Sequence, residues 1–598
     1  MNTPALSFRL ATLTLLVTLA ACSSTPLPPW PASGTASPPA TPARVVTTPP
    51  APAAPVVATP APVPAAPIAQ PMPVPERTLA TAPPAPYNAA VAARFPAPSV
   101  IYVTPGLQEG RSSFTSSAEI QTWLRDLAGA ASRSAGLQAA VLPIGQSQRG
   151  ETLEALVLTR GTGTDAAAIA ANGRPTVLLV GQQHGDEPAG SEALLVIARE
   201  LTQGLLQPLL ERINVIIVPR ANPDGSSDNK RVTSGGLDMN RDHLLLNTPE
   251  AQALAKLGRD YRPTVIIDAH EYTVVGRFLE KFDAVQKYDA LLQYATTANI
   301  PEFLTRASEE WYRRPMVAAL RAQALSTEWY YTTSTDIADK KISMGGTQPD
   351  TGRNVNGLKN AVSILVETRG VGIGRLHIQR RVHTHVTAIS SVLASTAQRA
   401  SELGQLRPYV EKEIASLACK DEAVVEAGHT AMQQDLVMLD PVTGADKTLK
   451  VEWNSALVLR KIKTRVRPCG YWLSAASKTA VDRLRLHGVQ VLRVTEQGSM
   501  LGDIYRETGR SAGVRQDVRG SIADAGQIVR AEVSLVRGVI DTPNGSYYVP
   551  LNQPLANLVI AALEPDTQSS FFANRLIDGL AGSARVMAEP SLKTEELP

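Results

Sequence analysis

The chain has 598 residues, too many for one ordinary domain, so several domains or long unstructured tracts are expected. A formal net charge of +3 gives no electrostatic case for nucleic acid or a strongly acidic partner. Hydrophobic residues make up 44%, enough for packed cores, while 45 prolines and only 5% aromatics point to a disordered tract beside them.

The N-terminus reads as an export signal. Arg9 is followed by an apolar run over 10–19, too short for a comfortable membrane span, and then by Leu19-Ala20-Ala21-Cys22. That pattern resembles the bacterial lipobox. The resemblance implies cleavage over 1–22, lipidation of Cys22 and attachment to a membrane, with Ser23 pointing to the outer membrane. The protein would then be periplasmic or at the cell surface. Residues 23–99 alternate Pro, Ala, Thr and Val without helical or strand period, which predicts an extended tether. The remaining cysteines, Cys419 and Cys469, form a possible disulfide in an exported protein; the alternative is two separate buried thiols.

From about residue 106 the pattern changes. Segments 139–142 and 153–158 read as a strand pair joined through 145–150. Short apolar runs over 177–180, 213–218, 265–267 and 362–366 read as buried strands. Helical spacing occupies 192–206 and 249–257, helical stretches fill 283–325, and 375–403 reads as one long helix. Alternation of this kind predicts an α/β domain over 106–403, a mixed, mostly buried sheet flanked by helices. Beyond 406 the spacing shortens to strands over 448–453, 455–462, 489–494, 531–540 and 547–549, which predicts a smaller, separate β-rich domain over 406–598.

Chemistry gathers at the strand ends. Gln183-His184-Gly185-Asp186-Glu187 follows the 177–180 strand, and Asp268-Ala269-His270-Glu271 follows the 265–267 strand. Ligands of open α/β sheets collect at such ends. Two histidines and one glutamate make a catalytic zinc set with a position left for water. Either histidine alone would more often be a hydrogen-bonded structural residue. The intervening sequence supplies Asn222-Pro223-Asp224-Gly225, a tight turn, then Arg231, then Asp238-Met239-Asn240-Arg241, and finally Glu367-Thr368-Arg369-Gly370.

In that order the chain resembles the zinc metallocarboxypeptidases related to pancreatic carboxypeptidase A, over about 106–403. The resemblance implies a carboxypeptidase-like fold, one Zn2+ per chain held by His184, Glu187 and His270, and a peptide substrate. Asp238 would orient a zinc-bound imidazole. Arg231 would stabilise the oxyanion. Asn240 and Arg241 would grip the substrate's terminal carboxylate. Glu367 would be the general base that takes a proton from water and returns it to the departing amine. One departure stands out. The family commonly places a mobile tyrosine about two dozen residues before the catalytic glutamate, where this chain has Gly345-Gly346-Thr347-Gln348-Pro349-Asp350; Tyr330 and Tyr331 lie further upstream. Residues 351–358 read as a polar, substrate-facing loop.

The C-terminal part resembles the accessory β domains that follow some bacterial members, and reads as structural support; it could also border the active-site mouth and restrict substrates. His377, His383 and His385 read as structural or solvated, and His243 is given no role. Alternative activities on the same site are cleavage of cell-wall peptides and deacylation of N-acyl amino acids. A non-catalytic binding protein is a further alternative, disfavoured because all three ligands and Glu367 are present.

Overall fold

The computed structural model describes residues 86–134, 136–523 and 526–597. The expected signal over 1–22, the expected lipid acceptor Cys22 and most of the expected tether lie outside the described residues. The last part of that tether requires a correction. Residues 89–92 form a short helix capped by the Asn88 side chain, and Tyr87, Val91 and Phe95 are buried in a core with Phe278, Val285 and Trp453. Apolar side chains at 87, 91 and 95 recur at helical spacing, so this stretch has a face to bury.

The first half of the described chain is built on ten strands: β1 (Gln138–Gln146), β2 (Thr152–Thr159), β3 (Thr176–Gly181), β4 (Asn214–Val218), β5 (Val265–Thr273), β6 (Ala290–Tyr294), β7 (Thr327–Trp329), β8 (Tyr331–Thr332), β9 (Ile342–Met344) and β10 (Val362–Val371). Eight of them form one mixed sheet in the order β1-β2-β4-β3-β5-β10-β6-β7. Its centre, β4-β3-β5-β10, is parallel, and antiparallel strands β2 and β6 flank it. Every residue of β3 and β4 is buried, which is why they read as unbroken apolar runs rather than alternating ones. Leu178, Val180, Ile216, Val218 and Ile266 pack with Leu254 and Leu257 of the helix Pro249–Tyr261. Each such side chain contributes about 1.5–3 kcal/mol on burial. That helix starts where Thr248 caps it and Pro249 pre-sets the first turn, and it stops at Arg262 in the left-handed conformation.

Four local expectations are corrected. The stretch 283–325 is not helical throughout, because β6 lies within it, fully buried and antiparallel to β10. A five-residue apolar run does not reveal its period. Strands β5 and β10 continue past 267 and 366, so His270 and Glu367 lie within strands rather than after them. The long helix expected over 375–403 is two helices, Ile378–Gln398 and Ala400–Ser416, parted at Arg399. The segment 351–358 is a buried helix, Gly352–Leu358, whose first turn is capped by the Thr351 hydroxyl, and not a loop.

Beyond these helices come the long hairpin β11 (Glu422–Leu439) and β12 (Asp446–Val466), then β13 (Gly470–Leu473), β14 (Leu492–Val494), β15 (Gly498–Gly513), a small hairpin β16 (Gln516–Asp517) and β17 (Gly520–Ser521), β18 (Ile528–Thr542), β19 (Tyr547–Pro550), β20 (Ser583–Val586) and β21 (Thr594–Glu596). Seven of these strands form a second sheet, β18-β15-β20-β13-β19-β14-β21. The region is β-rich, and it is joined closely to the first half. Leu244, Leu245, Val355 and Leu358 share one core with Tyr471, Leu473, Val549 and Ile560, and β12 pairs with β9. Pro84–Pro598 is accordingly one compact unit. Cys419 and Cys469 are bonded to each other. Among the described residues no helix is long and apolar enough to cross a membrane.

Candidate metal and catalytic site

The chain runs from β3 to β4 on one side and returns with β5 on the other, so a crevice opens beyond the carboxyl ends of β3 and β5. The loop after β3 carries His184 and Glu187 into it. That loop is pinned from below: Asn222 donates its amide N–H to the Gln183 carbonyl (3.1 Å) and accepts from the Gly225 N–H (2.9 Å). A Cβ on Gly185 would lie 1.9 Å from the Gly225 backbone, so the close approach of these two segments requires glycine. Glu187 ends the loop, and Pro188 starts the helix Pro188–Gln203 at its first position. Strand β5 contributes His270. In the parallel register of β5 and β10, Glu367 sits directly beside His270.

Three donors converge. His184 Nδ1 is 2.7 Å from Glu187 Oε1, His270 Nδ1 is 2.8 Å from Glu187 Oε2, and the two Nδ1 atoms are 3.1 Å apart. All three residues are buried, with one ligand atom from each within 4.8 Å of the others. The opposite ring nitrogens face aspartates: His184 Nε2 lies 3.0 Å from Asp238 Oδ1, and His270 Nε2 lies 2.9 Å from Asp268 Oδ1. Each aspartate, by accepting from Nε2–H, leaves the Nδ1 lone pair for a metal. Two neutral imidazoles and one carboxylate in a buried cluster suit zinc and leave a coordination position open. Burial opposes ionisation of Glu187, yet the imidazoles of His184 and His270 hold its carboxyl well below the usual range.

Around this set stand the other expected residues. The Arg231 guanidinium grips Asp238 (Nη2–Oδ2 2.9 Å) and reaches Glu187 Oε1 at 3.2 Å, which places a fixed cation against the metal donors. Glu367 is 7% exposed. Burial first, and then the nearby Glu187 carboxylate, push its carboxyl up to about 7. Asn240 lies 3.1 Å from His270 Nε2 and accepts from the Gly352 N–H (2.8 Å). Arg241 is paired with Asp517, donating from Nε (3.1 Å) and Nη2 (2.6 Å) to the same oxygen. The guanidinium expected to meet the substrate's terminal carboxylate is thus already engaged by a carboxylate from the C-terminal half.

The structure adds residues that sequence reasoning left without a role. Asp268 does for His270 what Asp238 does for His184, and its Asp-x-His spacing was a usable signal. Tyr330 lines the cavity with Glu367, although it is out of register with the family pattern. Arg353 enters from the helix mistaken for a loop, and Val518 and Arg519 from the small hairpin β16–β17. No local signal marks the hairpin, which is 276 positions from Arg241 in sequence. The four other histidines considered in the sequence make contacts of their own. His383 bonds Tyr102 (2.7 Å), His385 bonds Thr368 (3.1 Å), His377 stacks on Tyr87, and His243 bonds Gln183 (2.6 Å) while burial holds it down to about 4.

A mixed sheet with a buried His-Glu-His set at its parallel centre and a carboxylate beside it defines a mononuclear zinc hydrolase. The chain matches the family model described as zinc carboxypeptidase over residues 120–380. It is a metallocarboxypeptidase. Carboxypeptidase 2 of Trichophyton rubrum is 27% identical over 81% of this chain and 90% of its own length, an alignment that extends well outside 120–380. Carboxypeptidase 2 of Trichophyton equinum is 28% identical over 66% of this chain and 72% of its own. Among solved structures, carboxypeptidase A from Helicoverpa armigera aligns over 52% of this chain and 79% of its own, at 15% identity and a TM-score of 0.36.

Proposed function

We propose that the enzyme removes residues from the carboxyl ends of peptides, with Glu367 as general base and general acid and Arg231 as the oxyanion partner. The observation that carries this reading is the register of β5 and β10, which sets Glu367 beside the ligand His270. Zinc held by His184, Glu187 and His270 would supply Lewis-acid polarisation of the scissile carbonyl and a more acidic water. Glu367, ionised, takes the proton of the attacking water and then gives it to the departing amine nitrogen. Arg231 already lies within 3.2 Å of Glu187 and is fixed by Asp238, so it meets the negative charge on the carbonyl oxygen without reorganising.

The test is hydrolysis of mixed peptides and of cell-wall peptides by the zinc-loaded protein, with products read by mass. Loss of single C-terminal residues, abolished by a chelator, is the expected result; release of internal fragments or of an acyl group alone would refute exopeptidase action. In the same assay Arg231→Gln should lower kcat by about 10²–10³-fold with little change in KM, because the contact strengthens as charge develops.

Export and lipid attachment at Cys22 belong to the same proposal and rest on Leu19-Ala20-Ala21-Cys22. A lipid there would place the enzyme at a membrane surface facing peptides outside the cytoplasm. Cys22→Ser should then move the protein from the membrane pellet to the soluble fraction, and equal partition of both forms would refute the anchor.

A further inference from the structure

Four arginines line the catalytic cavity: Arg231, Arg241, Arg353 and Arg519. Two of them are neutralised. Arg231 is paired with Asp238 and Glu187, and Arg241 with Asp517. The other two are not. Among the described residues no carboxylate lies within ion-pair distance of Arg353 or Arg519. The acids of the cavity wall are committed elsewhere or stand apart: Glu187 belongs to the metal set, Glu271 is paired with Arg381 (2.8 Å), and Asp186 and Glu367 pair with neither arginine. Arg353 is 3% exposed. It donates from Nη2 to the Gly346 carbonyl (2.9 Å), while its buried Nε has no partner. A buried guanidinium with an unused donor is costly unless a ligand supplies the anion.

Arg519 is presented differently. It sits at the tip of the hairpin β16–β17, which two attachments and one bond within the turn hold over the cavity. Asp517 binds Arg241, the Arg519 N–H donates to Asp517 Oδ1 (2.7 Å), and the Thr335 N–H donates to the Arg519 carbonyl (2.9 Å). Asp517 thus works in two ways: it fastens the hairpin and it removes Arg241 from the free cations. What remains is one deep guanidinium on the helix Gly352–Leu358 and one half-buried guanidinium on the hairpin.

We infer that this cavity selects peptides whose C-terminal residue carries a second carboxylate, an aspartate- or glutamate-type side chain. Arg353 receives the side-chain carboxylate and Arg519 the terminal one. Two free cations match two anions; a neutral C-terminal residue would leave Arg353 buried and unpaired. The assignment follows depth, since the last side chain of a bound peptide enters furthest. Arg353 and Arg519 are therefore specificity-determining residues, and the C-terminal half supplies part of the substrate site. The inference rests on the carboxypeptidase reading.

The test compares blocked peptides that differ only in their last residue: Glu, Gln, Leu or Lys. The zinc-loaded enzyme should cleave the Glu peptide with kcat/KM at least tenfold above the Gln peptide. Arg353→Gln should bring that ratio to within about threefold, chiefly by lowering kcat/KM for the Glu peptide, and Arg353→Lys should restore part of the ratio. Arg519→Gln should weaken both peptides alike, at least tenfold, mainly through KM. A wild-type preference for Leu or Lys, or an unchanged ratio in Arg353→Gln, would overturn the inference while leaving the carboxypeptidase reading intact. If no peptide were cleaved, that reading would fail by itself. Calorimetry of free glutamate against glutamine on the zinc-loaded protein would then decide the inference, and equal affinities would overturn it.

Discussion

Glu367→Gln is expected to lower kcat by about 10²–10⁴-fold while the protein still binds one zinc ion per chain, as metal analysis of the purified variant would show. The amide keeps the size and shape of the carboxyl in its place on β10, so the packing against β5 and β6 is unchanged. What is lost is the atom that can accept and return a proton. Zinc is retained because His184, Glu187 and His270 form the donor set without Glu367. The pH profile carries a second signature. Burial and the Glu187 carboxylate push the Glu367 carboxyl up to about 7, whereas a bound dication favours its charged form. The base is active only when ionised, so kcat/KM should rise with pH along an acid limb placed at or below about 7. Residual activity of Glu367→Gln should lack that limb. A variant with near-normal turnover, or with the limb intact, would remove Glu367 from the reaction.

How much of this was legible in the sequence depends on the range of the contacts involved. The parallel strands β3, β4, β5 and β10 are buried on both faces, so their composition alone marks them. The metal set could be read because each ligand stands at or near a strand end, where its spacing survives as a short motif. Asp238, two residues before Asn240, was legible only through the family resemblance, since it stands in a loop far from any strand end. Strand β6 was not, because five apolar residues fit either period and only its pairing with β10 decides. The helix Gly352–Leu358 was misread from its Gly, Arg and Asn content; its stability comes from the Thr351 cap and from burying Val355 and Leu358 in a core shared with the C-terminal half. That core also explains why a composition shift near 406 overstates the separation of the two halves. Least legible was the hairpin carrying Asp517 and Arg519. Its role exists only through pairing with Arg241, and no local pattern encodes a partner so distant in sequence.

His270→Ala should abolish both zinc binding and activity, and Asp268→Asn should separate the two ways in which this corner of the site works. Without His270, two donors remain, fewer than a buried zinc site requires. Competition with a coloured chelator should therefore find no tight site, and turnover should fall below detection at any pH. Asp268 touches no reacting atom. It accepts from His270 Nε2 at 2.9 Å and from Gln183 at 2.6 Å, which fixes both the ring orientation and the tautomer that leaves Nδ1 free. An asparagine there can present an N–H to Nε2 instead, which would favour the tautomer with the proton on Nδ1. Zinc affinity should then drop by about 10–100-fold. Activity measured at saturating zinc should recover in large part for Asp268→Asn and not at all for His270→Ala. Equal, unrecoverable loss in both would mean that Asp268 supports the fold of β5 rather than the metal. Unchanged affinity in Asp268→Asn would mean that the ring is held by its packing alone.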